Sequence, residues 1–144
     1  MKKLMIMMVI AMASMNVFGL EVSDKLLNAI MMVESNGKAD AKGDYSKKTK
    51  EYRAIGAYQL WKIYVDDVNR ISGKKFSYED RWDIEKSKEM VKIYLVYYGE
   101  RYERLTGKVA TDEVLSRIHN GGPNGYKKEA TKSYWNKIQK ELNK

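Results

Sequence analysis

The chain contains no cysteine, one proline, one histidine and two phenylalanines in 144 residues. Without cysteine there is no disulfide scaffold, no thiolate metal site, no cysteine nucleophile and no lipid attachment at a thiol. With His119 as the single histidine, a multi-histidine metal centre is also excluded, and no neighbouring Ser or Cys supplies the nucleophile of a hydrolase triad. Nothing therefore calls for a metal or another cofactor. The chain also lacks internal repeats, low-complexity tracts and Pro/Ser-rich linkers, which leaves one compact domain as the natural organisation.

Long apolar runs are missing after the first fifteen residues. Met1, Met5, Met7, Met8, Met12 and Met15 cluster there, Lys2-Lys3 makes a positive start, and Leu4 to Ala13 is almost uninterruptedly apolar. The run stops at Ser14 and Asn16, short of the roughly 20 residues that cross a bilayer. Val17-Phe18-Gly19 follows with small residues where a signal peptidase reads. Residues 1–19 are thus expected to be an export signal, and residues 20–144 a catalytic domain that is periplasmic or extracellular, has no membrane-spanning segment and acts as a monomer.

Cleavage would remove two lysines and no acid, lowering the formal charge from +8 to +6. A basic exported protein is attracted to polyanions such as anionic wall polymers, lipopolysaccharide or free nucleic acid. Solvated lysines on helix faces would give the same balance, so charge alone selects no partner.

Apolar spacing predicts a mainly helical domain with a small β element. Leu26, Leu27, Ile30, Met31 and Val33 recur at helical spacing after the capping residues Ser23 and Asp24, with Gly37 placed to stop the helix. Residues 38–51 are polar and lysine-rich, which reads as a loop; Tyr52 to Leu60 reads as a hairpin or extended segment around Gly56. Further helices are expected from Ile63 to Gly73, from Asp83 to about Gly107, and from Thr111 or Asp112 to the Asn120–Gly125 run. A last one carries Tyr134, Ile138 and Leu142.

One carboxyl stands out. Glu34 lies four residues after Ile30 and seven after Leu27, on the inward face and in the last turn of its helix. There both the carbonyl end of the helix and desolvation oppose a charged carboxylate, which suits a proton donor. Glycoside cleavage pairs such an acid with a second, ionised carboxyl. Asp66, Asp67 and Asp83 have ordinary helix-start roles, whereas Asp44 follows Gly43 in a polar stretch and has none. Sugars are bound by aromatic faces and side-chain amides, and Tyr58, Gln59, Trp61, Asn120, Tyr126, Tyr134 and Trp135 supply both near helix breaks.

Four ordered segments then form a pattern: Glu34-Ser35, Gly56-Ala57-Tyr58-Gln59-Leu60, the run from Arg117-Ile118-His119-Asn120 to Gly125, and Tyr134-Trp135-Asn136-Lys137. Together they resemble the lysozyme-like superfamily over roughly Leu26 to Ile138. The third and fourth are similar to invertebrate-type (destabilase) lysozymes, and the Glu-Ser and Gly-x-x-Gln pattern is equally similar to bacterial soluble lytic transglycosylases.

The resemblance implies a mainly α, α+β lysozyme-like fold whose cleft binds peptidoglycan glycan strands. It implies Glu34 as general acid, Tyr58 and Gln59 in the cleft-lining segment, and His119, Asn120 and Tyr134 around the acid and the sugar. Asp44 is similar in placement to the second acid of invertebrate-type lysozymes. Those lysozymes are cysteine-rich and this chain is not, so the fold here must be held by packing alone. The implied activity is a muramidase acting on the β-1,4 bond between N-acetylmuramic acid and N-acetylglucosamine. Hydrolysis and a lytic transglycosylase reaction giving a 1,6-anhydro product both remain open, as does a non-catalytic glycan binder of the same fold. A specific nucleic-acid partner is not expected, because no reading motif is present.

Overall fold

A computed structural model describes residues 19–144. The expected export signal lies outside the described residues, except for Gly19. Among the described residues no helix is long and apolar enough to cross a membrane.

The first helix, α1 (Asp24–Ser35), starts where the Ser23 hydroxyl accepts the Leu26 N–H at 3.1 Å. It ends one residue before the expected Gly37, at Asn36, whose φ of 55° is the left-handed conformation that terminates many helices. Leu26, Leu27, Ala29 and Ile30 turn inward, so the last turn, with Glu34, is carried to the edge of the core.

A two-stranded antiparallel sheet follows, built from β1 (Lys42–Ser46) and β2 (Glu51–Ile55). The lysine-rich stretch read as a loop therefore supplies a strand and the hairpin turn. Pairing of Lys42 with Ile55, Gly43 with Ala54, Tyr45 with Tyr52 and Ser46 with Glu51 fixes the register. Only Ala54 and Ile55 are buried, so no apolar alternation marked β1 in the sequence. The backbone ladder and cross-strand contacts hold the hairpin instead, among them Tyr45 edge-on to Tyr52 at 5.0 Å.

Beyond β2 the chain turns tightly, with Leu60 N–H donating to Ile55 C=O at 3.0 Å and Ile55 N–H returning the bond at 3.3 Å. Gly56 sits in this turn at φ +80°, and a Cβ there would lie 1.9 Å from the Arg81 carbonyl oxygen. Arg81 is buried in a short 3-10 helix, Tyr78–Trp82, that periodicity did not reveal. Its guanidinium donates to the carbonyls of Tyr78 at 2.8 Å and Leu60 at 3.0 Å, pinning the turn from behind.

The remaining helices are α2 (Lys62–Ser72), α3 (Ile84–Thr106), α4 (Asp112–Gly121) and α5 (Lys132–Leu142). Asp83, Thr111, Gly73 and Gly107 cap them as their residue types suggest. The core gathers around α3, where Met90, Val91, Tyr94 and Leu95 meet Leu26 and Ile30 of α1, Val65 and Val68 of α2, and Ile118 of α4. Packing of α1 on α5 and of α4 on α5 closes the bundle. Two further 3-10 turns, Gly125–Lys127 and Glu129–Thr131, bridge the glycine-rich run to α5.

Two stability outcomes follow from these contacts. Gly56→Ala is expected to lower the unfolding free energy by about 3 kcal/mol in urea titration, because strain and a backbone collision add. The Asp80 carboxyl is held below its ordinary 3.8 by the Lys86 ammonium and by the Ser77 N–H. Its contribution is therefore complete above that value and lost as the pH falls through the lowered one. Asp80→Asn should cost about 1 kcal/mol near neutrality, with the gap to wild type closing in acid.

Candidate active site

The end of α1, the hairpin, the turn after β2, the start of α2 and the end of α4 surround a cleft of about 1010 Å³. Glu34, Asp44, Gln59, His119 and Asn120 all line it.

Glu34 is held from two sides. The Tyr134 hydroxyl of α5 donates to Glu34 Oε1 at 2.8 Å, and His119 Nε2 of α4 lies 3.5 Å from the same oxygen. The His119 side chain is 4% exposed and that of Glu34 19%, so the carboxyl is enclosed but opens to the cleft. Both contacts converge on Oε1, and Glu34 lines the cleft.

Behind His119, the Tyr64 hydroxyl lies 3.3 Å from Nδ1. Burial pushes the Tyr64 phenol well above its ordinary value, with Tyr94 and Glu34 adding to the effect. Tyr64 therefore keeps its proton, and its contact with Nδ1 holds the ring with Nε2 toward Glu34. The Tyr134 phenol is raised in the same way, first by burial and then by the adjacent Glu34 charge, and remains a donor. Tyr64 in turn stacks on Tyr94 at 4.0 Å, so α3 fixes the outer end of the network.

The Glu-Ser pair has a mechanical reason. Ser35 Oγ donates to the Ala57 carbonyl at 2.7 Å and accepts the Lys38 N–H at 3.1 Å, tying the end of α1 to the turn after β2. Gln59 braces the same junction, its Nε2 donating to the carbonyls of Gly56 at 2.9 Å and Ala41 at 3.2 Å. At φ 51° it presents its amide to Gly43, where a Cβ would lie 2.4 Å from Gln59 Oε1. Much of the hydrogen-bonding capacity of Gln59 is thus spent on the hairpin root.

Asp44 stands in β1 at φ 50°, a left-handed conformation that Asp tolerates better than most residues. Its Oδ1 accepts from the Arg53 guanidinium at 2.8 Å.

The structure places two expected sugar contacts elsewhere. Tyr58 is 1% exposed and packs in the core rather than along the cleft; the tight Ile55–Leu60 turn sends Tyr58 inward and Gln59 outward. Burial raises the Tyr58 phenol to about 12. Tyr134 does not line the cleft and reaches Glu34 from behind, which makes it a support of the acid rather than a surface for sugar. Of the other aromatics, Tyr126 packs edge-on to Tyr102 at 4.8 Å and Trp135 lies against the core, whereas Trp61 opens into the cleft at 41% exposure.

Sequence reasoning gave Tyr64 no role and missed the contact of its hydroxyl with His119. It also missed Arg53, since its pairing with Asp44 depends on strand register. Asp67 and Arg70, which also line the cleft, are joined at 2.9 Å; their i,i+3 spacing was the available signal. Among the described residues no group of three His, Cys, Asp or Glu is arranged to hold a metal ion.

Searching of family models gives no match. Among characterised proteins the chain is similar to a lysozyme of Meretrix lusoria, 46% identical over 43 residues, which covers 30% of this chain and 35% of the relative. It is also similar to invertebrate-type lysozyme 6 of Caenorhabditis elegans, 35% identical over 93 residues, covering 60% of this chain and 65% of the relative. The matched segments thus span from about a third to just under two thirds of these relatives. Structural similarity extends further. The Meretrix lusoria lysozyme bound to Aeromonas hydrophila PliI superposes with a TM-score of 0.65 at 28% identity, over 83% of this chain and 89% of that one. Tapes japonica lysozyme gives 0.63 at 27% identity, over 82% and 89%. With a helical bundle, a single small hairpin and an enclosed glutamate at their junction, the chain belongs to the lysozyme-like superfamily, which includes the invertebrate-type lysozymes it is similar to.

Proposed function

We propose that the protein is an exported lysozyme that cleaves peptidoglycan at the β-1,4 bond between N-acetylmuramic acid and N-acetylglucosamine. One observation carries this reading: Glu34 and Asp44 line the same cleft, and Glu34 is gripped through Oε1 by Tyr134 and His119. A glycan strand in the cleft meets the Glu34 carboxyl, which hands a proton to the leaving glycosidic oxygen. Asp44, whose Oδ1 accepts from the Arg53 guanidinium, faces the positive charge that develops at the muramic acid C1. Glu34 then takes a proton from water as that water attacks. Hydrolysis is preferred to closure on the muramic acid 6-hydroxyl, because a lone acid would need no carboxylate at the position of Asp44. Asn120 and the glycine-rich segment beside it supply amide and backbone contacts to the sugars. Residues 1–19 direct the domain out of the cytoplasm.

Glu34→Gln should fold normally and release soluble fragments from purified peptidoglycan at least about 1000-fold more slowly. Retention on peptidoglycan by a wild-type protein that releases nothing would identify a glycan binder instead. Tyr134→Phe should lower the rate about tenfold, the scale of one hydrogen bond that positions Glu34, with the fold unchanged by circular dichroism. Mass spectrometry of wild-type products should find reducing muramic acid ends. Anhydro ends, together with full activity in Asp44→Asn, would assign the transglycosylase reaction.

A further inference from the structure

Asp44 is the candidate group that stands on the hairpin rather than on a helix, and its carboxylate is already occupied. Arg53 faces it across the two strands and donates to Oδ1 at 2.8 Å. The same guanidinium lies 4.8 Å from the ring centroid of Trp61. Trp61 and Asp44 both line the cleft that contains Glu34, and Trp61 is among the large apolar side chains left exposed.

Stability does not account for this arrangement. The side chains of Arg53 and Asp44 are 48% and 39% exposed, and ion pairs this open contribute little to folding. A tryptophan facing a polar cleft likewise adds little to the core. Arginine does suit a linking role, because its planar fork can bind a carboxylate at its edge while its face stacks on an aromatic ring, which a lysine ammonium cannot do.

We propose that Trp61 and Arg53 couple glycan binding to the placement of Asp44. A sugar ring stacks on the exposed part of Trp61, the indole fixes Arg53, and Arg53 fixes the Asp44 carboxylate at the cleft wall. Trp61 is a binding residue and Arg53 a positioning residue. Binding energy gained away from the scissile bond is thereby spent on orienting the second acid. The inference rests on the role given to Asp44 above and adds the residues that control it.

Steady-state kinetics on a soluble oligomer of alternating N-acetylglucosamine and N-acetylmuramic acid test the coupling. Arg53→Gln should lower kcat about tenfold or more while KM changes less than about twofold. Arg53→Lys keeps the charge and loses the stack, so kcat should recover only in part. Trp61→Ala should raise KM about fivefold and also lower kcat severalfold, and adding Arg53→Gln to it should cost less in kcat than Arg53→Gln alone, since the two act in series. The Tm of each variant should fall by no more than a few degrees.

Binding is read separately in the Glu34→Gln background, where the oligomer should quench tryptophan fluorescence and Trp61→Phe should remove most of that change. Unchanged kcat in Arg53→Gln, or strictly additive losses in the double variant, overturns the coupling while leaving the lysozyme reading intact. A wild-type protein that shows the Trp61-dependent quench without turnover would instead remove the catalytic reading, and with it the role of Arg53.

Discussion

The structure depends on one buried contact set: a single carboxylate oxygen, Glu34 Oε1, held by a tyrosine from the last helix and a histidine from the fourth. Glutamate has three rotatable side-chain bonds, and on the last turn of a helix it would ordinarily sample solvent. Here two buried side chains from distant parts of the sequence hold it in place. Tyr64 then orients the histidine, and the tyrosine stack on α3 orients Tyr64. Positioning of the acid is therefore a property of the whole bundle, since α2, α3, α4 and α5 each contribute one element of the support to the glutamate on α1.

The hairpin side of the cleft is built on a different principle. Little of it is buried, Ala54 and Ile55 at the end of β2 being the exceptions. Its position comes from backbone and polar contacts at its root, where Ser35 binds the Ala57 carbonyl, Gln59 binds two carbonyls and Arg81 closes the turn from behind. Removal of a methyl group from the helical core would lower stability, whereas a change in these polar contacts would shift Asp44 relative to Glu34. The cleft thus joins a carboxyl held by buried helix side chains on one wall to a carboxyl held by an exposed ion pair on the other.

The helices were legible from the sequence because each combines an apolar stripe with a capping residue, as in Ser23 with Leu26 and Ile30 or Asp83 with Met90 and Leu95. The inward position of Glu34 followed from the same periodicity, and the residue patterns around Gln59, His119 and Asn120 pointed to the region that forms the cleft. Strand β1 was not legible, because Lys42, Asp44 and Tyr45 are all exposed and no alternation betrays pairing. Tyr58 was misplaced because a tight turn, rather than a repeating pattern, decides which of two adjacent side chains enters the core. Tyr134 was expected around the acid and the sugar, and its hydroxyl does reach Glu34, although the ring does not line the cleft. The Arg53–Trp61 stack could not be read at all, since it needs both the hairpin register and the path of the chain into α2.

A crystal structure of the Glu34→Gln variant with a bound N-acetylglucosamine–N-acetylmuramic acid tetrasaccharide would show whether position 34 meets the bond to be cut. A scissile glycosidic oxygen is expected within about 3.2 Å of the side chain at position 34, with the Tyr134 hydroxyl and His119 still against that side chain. A strand bound in the cleft with no glycosidic oxygen near position 34, or a side chain released from Tyr134 and His119 when sugar is present, would contradict it.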